Sequence, residues 1–365
     1  MNILKSIFLI ALSVTLFFSC DTDDDQPDPV PAGDYTPGFL VSHEGTFSGV
    51  SGSTSFMSAD LMNVQNEIYE AVNKDVVGNF QQSIGFRDNF AYLVVDNTNT
   101  ITIVNRNTFK KVGEYTAEDH GISTPRYIAF DDDNAYVTNL GDAFTPTDDY
   151  LSVIPLDESE DVVTVPLAEG PEQLLVQNGF VYITHKAVFS SQGSELLSIY
   201  NIATGSVDEL VVGQSPDEIY SDVNGDIWIL CDGKFIYNDD FTQIIDVLPS
   251  RLVRLSGNSN SISQTYNFTD EVLVNYMAVE GDKIYYIKNG SFYAMLVNAT
   301  DVPASSIAAL ETDAIYGLSV FDNQLFVSDA GTFSERGDIE IYDVNSGVLI
   351  NELEVGMIPS KVYKN

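Results

Sequence analysis

Residues 133–139, Asp133-Asn134-Ala135-Tyr136-Val137-Thr138-Asn139, decide the fold. Two turn-forming residues lead into a strand of alternating character with an aromatic near its start. Asn, Asp and Gly tolerate the positive φ of tight hairpins best, so such a pair between alternating runs reads as a β-hairpin. The same phrase recurs at Asp88-Asn89, Asn178-Gly179, Asn224-Gly225, Gly281-Asp282 and Asp322-Asn323. The aromatics that follow are Tyr92, Tyr136, Tyr182, Trp228, Tyr285 and Phe326, spaced by 44, 46, 46, 57 and 41 residues. That is the period of a propeller blade, a four-stranded sheet repeated round an axis.

A seventh copy is divided between the chain ends. Phe39-Leu40-Val41 reads as the second strand of a blade, and Ser360-Lys361-Val362-Tyr363 supplies its first. In support, Val355-Gly356-Met357-Ile358-Pro359 repeats Val212-Gly213-Gln214-Ser215-Pro216 and parallels Leu167-Ala168-Glu169-Gly170-Pro171. Pairing the termini closes the ring and hides sheet edges that invite aggregation. Outer strands follow at residues 100–105, 151–155, 196–201 and 339–343, and no long stretch has the 3.6-residue helical period, which argues against an α/β enzyme fold. The expectation is an all-β, seven-bladed β-propeller with four-stranded blades over residues 38–365.

Ahead of it lie Lys5, an apolar run from Ile7 to Phe18, then Ser19 and Cys20. This reads as a lipoprotein signal over residues 1–19, too short for a membrane span of ~20 residues. Cys20 would be the lipidated N-terminus. Residues 20–37, with the acidic run Asp21 to Asp25 and a proline-rich remainder, read as a tether too polar to pack. Cys231 is the other cysteine, so acylation of Cys20 leaves no disulfide and no cysteine-based zinc site. The 21 Phe, 19 Tyr and 1 Trp are ample material for a core, and the formal charge of −38 repels nucleic acid.

The Tyr136-Val137-Thr138-Asn139 motif, the six turns and the proline-containing phrases together resemble the YVTN-repeat, YncE-like propeller lipoproteins of Bacteroidetes, over nearly all of residues 38–365. The resemblance implies the same propeller and a surface-exposed, lipid-anchored protein of the outer membrane. In such proteins an acidic cluster after the lipidated cysteine is an export address; the alternative is a plain solvated linker. The resemblance extends to cobalamin-capturing members that sit over a TonB-dependent transporter, which implies a corrinoid as ligand and such a transporter as partner.

In a blade the first and second strands run antiparallel, so the start of one and the end of the other share a face. First-strand starts place Gln82, Arg126, Gln173, Glu218, Tyr276, Tyr316 and Lys361 round the channel mouth. Second-strand ends place His43, Asn97, Asn139, His185, Asp232, Asn289 and Asp329 on the same face. Four loops beyond them carry Phe47-Ser48, Phe144-Thr145, Phe189-Ser190 and Phe333-Ser334. These phenylalanines are either an aromatic wall for a partly apolar ligand or anchors packing on the neighbouring blade.

Catalytic signatures are missing: there is no phosphate loop and no Gly-x-Ser-x-Gly elbow. His43, His120 and His185 are far apart in sequence, and only His43 and His185 could share the face. Asp222-Val223-Asn224-Gly225-Asp226 matches the start of a calcium loop but lacks its distal Glu and coincides with a hairpin, so it reads as a turn. Cys231 reads as a small buried hydrophobe. The expected function is solute binding on one face without catalysis, cofactor or metal, by a monomer or a transporter subunit. A protein-interaction scaffold is the alternative and a propeller hydrolase or lyase the third possibility.

Overall fold

Each turn phrase folds as the hairpin that joins the first two strands of a blade. The structure, a computed structural model, describes residues 34–46, 49–157, 160–190, 193–238, 240, 242–268, 272–312 and 314–365. Asp88, Asn178, Gly179, Gly281, Asp322 and Asn323 adopt the positive φ that tight turns require. In the two longer turns a carboxylate closes the loop. Asp131 accepts the N–H groups of Asp133 and Asn134 and the Tyr136 hydroxyl. Asp222 does the same for Asn224, Asp226 and the Trp228 indole N–H, which accounts for the calcium-like run as a turn.

Seven four-stranded antiparallel sheets result. Blade 2, for example, comprises Gln81–Arg87, Phe90–Val95, Thr100–Asn105 and Lys111–Thr116. The innermost strands of blades 2 to 7 are Gln81–Arg87, Pro125–Phe130, Pro171–Gln177, Pro216–Ser221, Val274–Glu280 and Ile315–Phe321. Blade 1 is built from both ends of the chain, with Gly38–His43 pairing antiparallel to Pro359–Lys364 in the register Leu40 to Tyr363 and Val41 to Val362. Every innermost strand touches the next, and the last touches the first. The 57-residue spacing in blade 5 comes from an inserted hairpin, Lys234–Tyr237 with Ile244–Leu248, between its second and third strands.

The core lies between blades. Seven buried apolar clusters are found among the described residues, one at each junction. The six repeat aromatics are buried in them, as where Tyr92 of blade 2 meets Phe130 of blade 3 at 4.6 Å. Tyr35, expected in the tether, is buried against Phe56 and Phe109 at 5.5 and 5.8 Å, so the packed body begins ahead of residue 38. The signal segment, Cys20 and Phe47 lie outside the described residues.

The last residue of the second strand ties each of three blades together internally. His43 and His185 bond through Nε2 to Ser55 and Ser198, each at 2.8 Å, and Asn139 donates to Ser152 at 3.1 Å. Burial lowers His43 to about 3, with the Arg336 charge adding, and burial lowers His185 to about 4.

Two expectations follow. Val362→Asp puts an unpaired charge into the junction that closes the ring, and denaturant titration should show a loss of at least ~3 kcal/mol, whereas Val163→Asp on an exposed outer strand should be near neutral. Both histidines are neutral when folded, so they contribute stability above the unfolded value near 6.5 that is lost as pH falls toward 4. Between pH 7 and pH 5 the His43→Gln/His185→Gln variant should therefore lose less stability than the wild type. Equal losses would remove the histidines from the acid response.

Candidate functional site

All seven innermost strands break register where they begin. The paired residues skip from Gln81 to Ser83, Pro125 to Ile128, Pro171 to Leu174, Pro216 to Ile219, Asn275 to Met277 and Ile315 to Gly317, and His43 pairs with Pro359 while Ser42 pairs with Lys361. A bulge leaves its extra residues outside the ladder and re-aims their side chains. Blades 3, 4 and 5 skip two residues, so Arg126-Tyr127, Glu172-Gln173 and Asp217-Glu218 all line one cavity on the channel axis. Thr124, Ser215 and Ile358, immediately before the prolines, hold φ of 49°, 53° and 56°. Such values are strained for residues other than glycine, most of all for the β-branched Thr124 and Ile358, and recur only where surrounding structure imposes them.

The cavity has a volume of about 210 Å³. Arg126 grips Glu172 through Nε and Nη2 at 3.1 and 2.9 Å and Asp96 through Nη1 at 2.7 Å. Gln173 donates to Asp217 at 3.2 Å, and the Tyr316 hydroxyl donates to Glu44 at 2.8 Å. Lys186 pairs with Asp217 and lies 3.4 Å from Asp232. Lys361 lies over the Tyr220 ring at 5.1 Å. Six carboxylates, from Glu44, Asp96, Glu172, Asp217, Glu218 and Asp232, thus face three cations, Arg126, Lys186 and Lys361.

Burial works against the charges of Glu44, Arg126, Glu172, Lys186, Glu218, Asp232 and Lys361, and charged neighbours oppose or reinforce it. Burial would lower Arg126, but Glu172 and Asp96 more than offset it and hold the guanidinium above its ordinary value. Lys186 is likewise depressed by burial and carried well above its usual range by Asp217, Asp232 and Glu218. Glu218 is pushed well up by burial and then by Asp217 and Asp232. Burial, opposed by Lys186 and reinforced by Asp217, raises Asp232 to about 7. Burial keeps Tyr276 and Tyr316 protonated, so both remain hydrogen-bond donors.

The structure gathers all seven first-strand residues, Gln82, Arg126, Gln173, Glu218, Tyr276, Tyr316 and Lys361, round the cavity. Most second-strand residues go elsewhere. His43, Asn139 and His185 are the blade-internal ties described above, Asp329 accepts the N–H groups of Ala314 and Gly331, and Asn97 and Asn289 lie exposed in turns. The ladder explains most of this: strands end at His43, Val95, His185 and Cys231, so a side chain reaches the axis from the next position, as Glu44, Asp96, Lys186 and Asp232 do, whereas Asn289, which follows Lys288, stays in the turn. Tyr127, Glu172, Asp217, Glu44 and Lys186 were missed in sequence. The signal was present in the repeated proline followed by two polar residues, which marks a bulge that strict alternation does not count.

Of the loop phenylalanines, Phe144 and Phe189 meet across blades 3 and 4 at 5.3 Å, and Phe333 stands edge-on to Tyr316 at 5.5 Å. They remain 81%, 53% and 46% exposed. Cross-blade packing and exposure therefore coexist, and the two readings of these residues are not exclusive.

No protein-family model and no curated protein matches the chain. Similar solved structures include the periplasmic gluconolactonase PpgL of Pseudomonas aeruginosa, with TM-score 0.61 and 10% identity over 89% of this chain and 98% of that one. A candidate 6-phosphogluconolactonase of Bacteroides fragilis has TM-score 0.62 and 9% identity over 90% and 98%. Apo AztD of Citrobacter koseri has TM-score 0.52 and 8% identity over 89% and 96%. At these identities the likeness establishes the propeller fold. It also overturns the expectation of a chain without catalysis: the neighbours on this frame include a gluconolactonase, so the fold is no argument against an enzyme.

Proposed function

We propose that the protein captures a neutral solute rich in hydroxyl or amide groups at the channel mouth. The observation that carries this reading is a polar cavity of about 210 Å³ whose lining residue Tyr316 packs against the exposed Phe333. Sites for larger solutes combine apolar walls with a few placed polar groups, and a cavity below the usual ~300–1,000 Å³ suits a projecting group of the ligand better than its whole body. A corrinoid fits this description if its amide arms enter the mouth while the ring lies across Phe144, Phe189 and Phe333. Lipidated at Cys20 and displayed on the outer membrane, the protein would pass its ligand to a TonB-dependent transporter. Ligands that must place a phosphate in the mouth are disfavoured, because it carries six carboxylates against three cations, all of them close to acidic or aromatic groups.

Calorimetry on the chain from Asp21 onward, titrated with cyanocobalamin and cobinamide, tests the corrinoid. A Kd below ~1 μM, about −8 kcal/mol, is expected, weakened at least about tenfold in Phe144→Ser/Phe189→Ser. Absence of heat at millimolar ligand would retire it.

A second reading has its own observation: Asp232, at about 7, suits general acid–base work near neutrality, and the carboxyl of Glu218, raised by burial, lies beside it in the same cavity corner. The matching reaction is hydrolysis of a neutral sugar lactone: Glu218 takes a proton from water as its oxygen adds to the carbonyl carbon, and Asp232 gives a proton to the ring oxygen as the acyl C–O bond breaks. On glucono-lactone the wild type should exceed the buffer rate and Glu218→Gln should lose at least ~100-fold. A wild type no faster than buffer rejects this reading.

A further inference from the structure

One corner of the mouth has more carboxylate than its hydrogen bonds can use. Asp217, Glu218 and Asp232 each bring an oxygen within 4.8 Å of the other two, and all three side chains are buried. Gln173 and Lys186 engage Asp217, and Lys186 approaches Asp232 through Oδ2. Glu218 Oε2 and Asp232 Oδ1 have no hydrogen-bond partner among the described residues, although Glu218 and Asp232 are each only 6% exposed. A buried carboxyl oxygen without a partner is costly, and three carboxyl groups sharing one ammonium cannot all ionise until more positive charge arrives.

We infer that this triad is a site for a hard divalent cation, calcium by preference, which competes with the Lys186 ammonium for the same oxygens. The spacing suits one ion, because calcium–oxygen bonds of ~2.3–2.6 Å place ligand oxygens up to about 5 Å apart. The donor set is all oxygen. The nearby softer ligands are spent, since His185 is tied to Ser198 and Cys231 is buried in the apolar junction of blades 4 and 5. Glu218 lines the cavity, so water can complete the six to eight ligands that calcium takes and that flexible, unsymmetrical side chains supply more readily than magnesium's strict octahedron. Lys186 can yield its place, because its side chain is 30% exposed and reaches the triad from the loop after its strand. The site does not depend on which solute the protein binds.

The test is calorimetric titration of the chelator-treated mature chain with calcium, magnesium and zinc chlorides at physiological salt, with thermal midpoints measured in parallel. One equivalent of calcium should bind, more tightly than magnesium or zinc, and raise the midpoint. Glu218→Gln and Asp232→Asn should each weaken binding at least about tenfold, ~1.4 kcal/mol. Lys186→Gln removes the competitor and should tighten it by a similar factor, a gain that a folding defect cannot imitate. A silent wild type, or calcium binding that all three variants leave unchanged and added salt removes, overturns the inference and assigns any heat to the acidic surface.

Discussion

A propeller is a row of sheets that must become a ring, and the pairing of Gly38–His43 with Pro359–Lys364 is what makes it one. Until those strands meet, blade 1 lacks its innermost member and blades 1 and 7 share no complete interface. Once they meet, Val41, Met57, Phe326 and Val362 fall into one apolar cluster, and the seventh junction becomes equivalent to the other six. The closure is also functional geometry. It carries Lys361 from the chain terminus to the axis and sets it over Tyr220 of blade 5, so the mouth is complete only when the ring is.

The register breaks are the second constraint. A regular inner strand would present alternate residues to the channel, and seven strands converging on one axis would crowd it. Skipping residues at the start of each strand lifts side chains out of the ladder at the one level where the channel opens. The resulting ring is costly, since it gathers more carboxylates than cations in a buried setting. Much of that cost is offset by the two-carboxylate grip on Arg126 and the bridging position of Lys186. The uncompensated remainder sits at Glu218 and Asp232, where a ligand would repay it most.

The fold was legible because its repeat is written in local chemistry. Tight hairpins need positive φ, junctions need an aromatic, and both leave fixed residue types at a fixed period, from Asp88-Asn89 with Tyr92 to Asp322-Asn323 with Phe326. The mouth was half legible. First-strand starts could be found by counting from the turns, and all seven reached the cavity. Second-strand ends could not, because a one- or two-residue error in where a strand stops changes which face a side chain takes. Asn97 fell two residues past the paired Val95, whereas Asp232, one past Cys231, landed at the axis. His43 and His185 sat at true strand ends and were drawn into the blades, where serines on the third strands wait for them.

What the mouth selects follows from its charge more than from its fold. The same frame serves a gluconolactonase at 10% identity, so blade geometry carries no chemistry of its own. Here each cation already has a partner: Arg126 is held by Glu172 and Asp96, Lys186 by Asp217 and Asp232, and Lys361 lies against Tyr220. An incoming anion would have to displace an internal carboxylate and leave it buried without a counter-charge. A neutral hydroxyl or amide group instead meets acceptors at the unpaired oxygens of Glu218 and Asp232, and a cation meets an excess of carboxylate. Under the proposed function the ligand is restricted to chemistry that donates to this ring or neutralises it, and the exposed phenylalanines offer apolar surface to the part of it that stays outside.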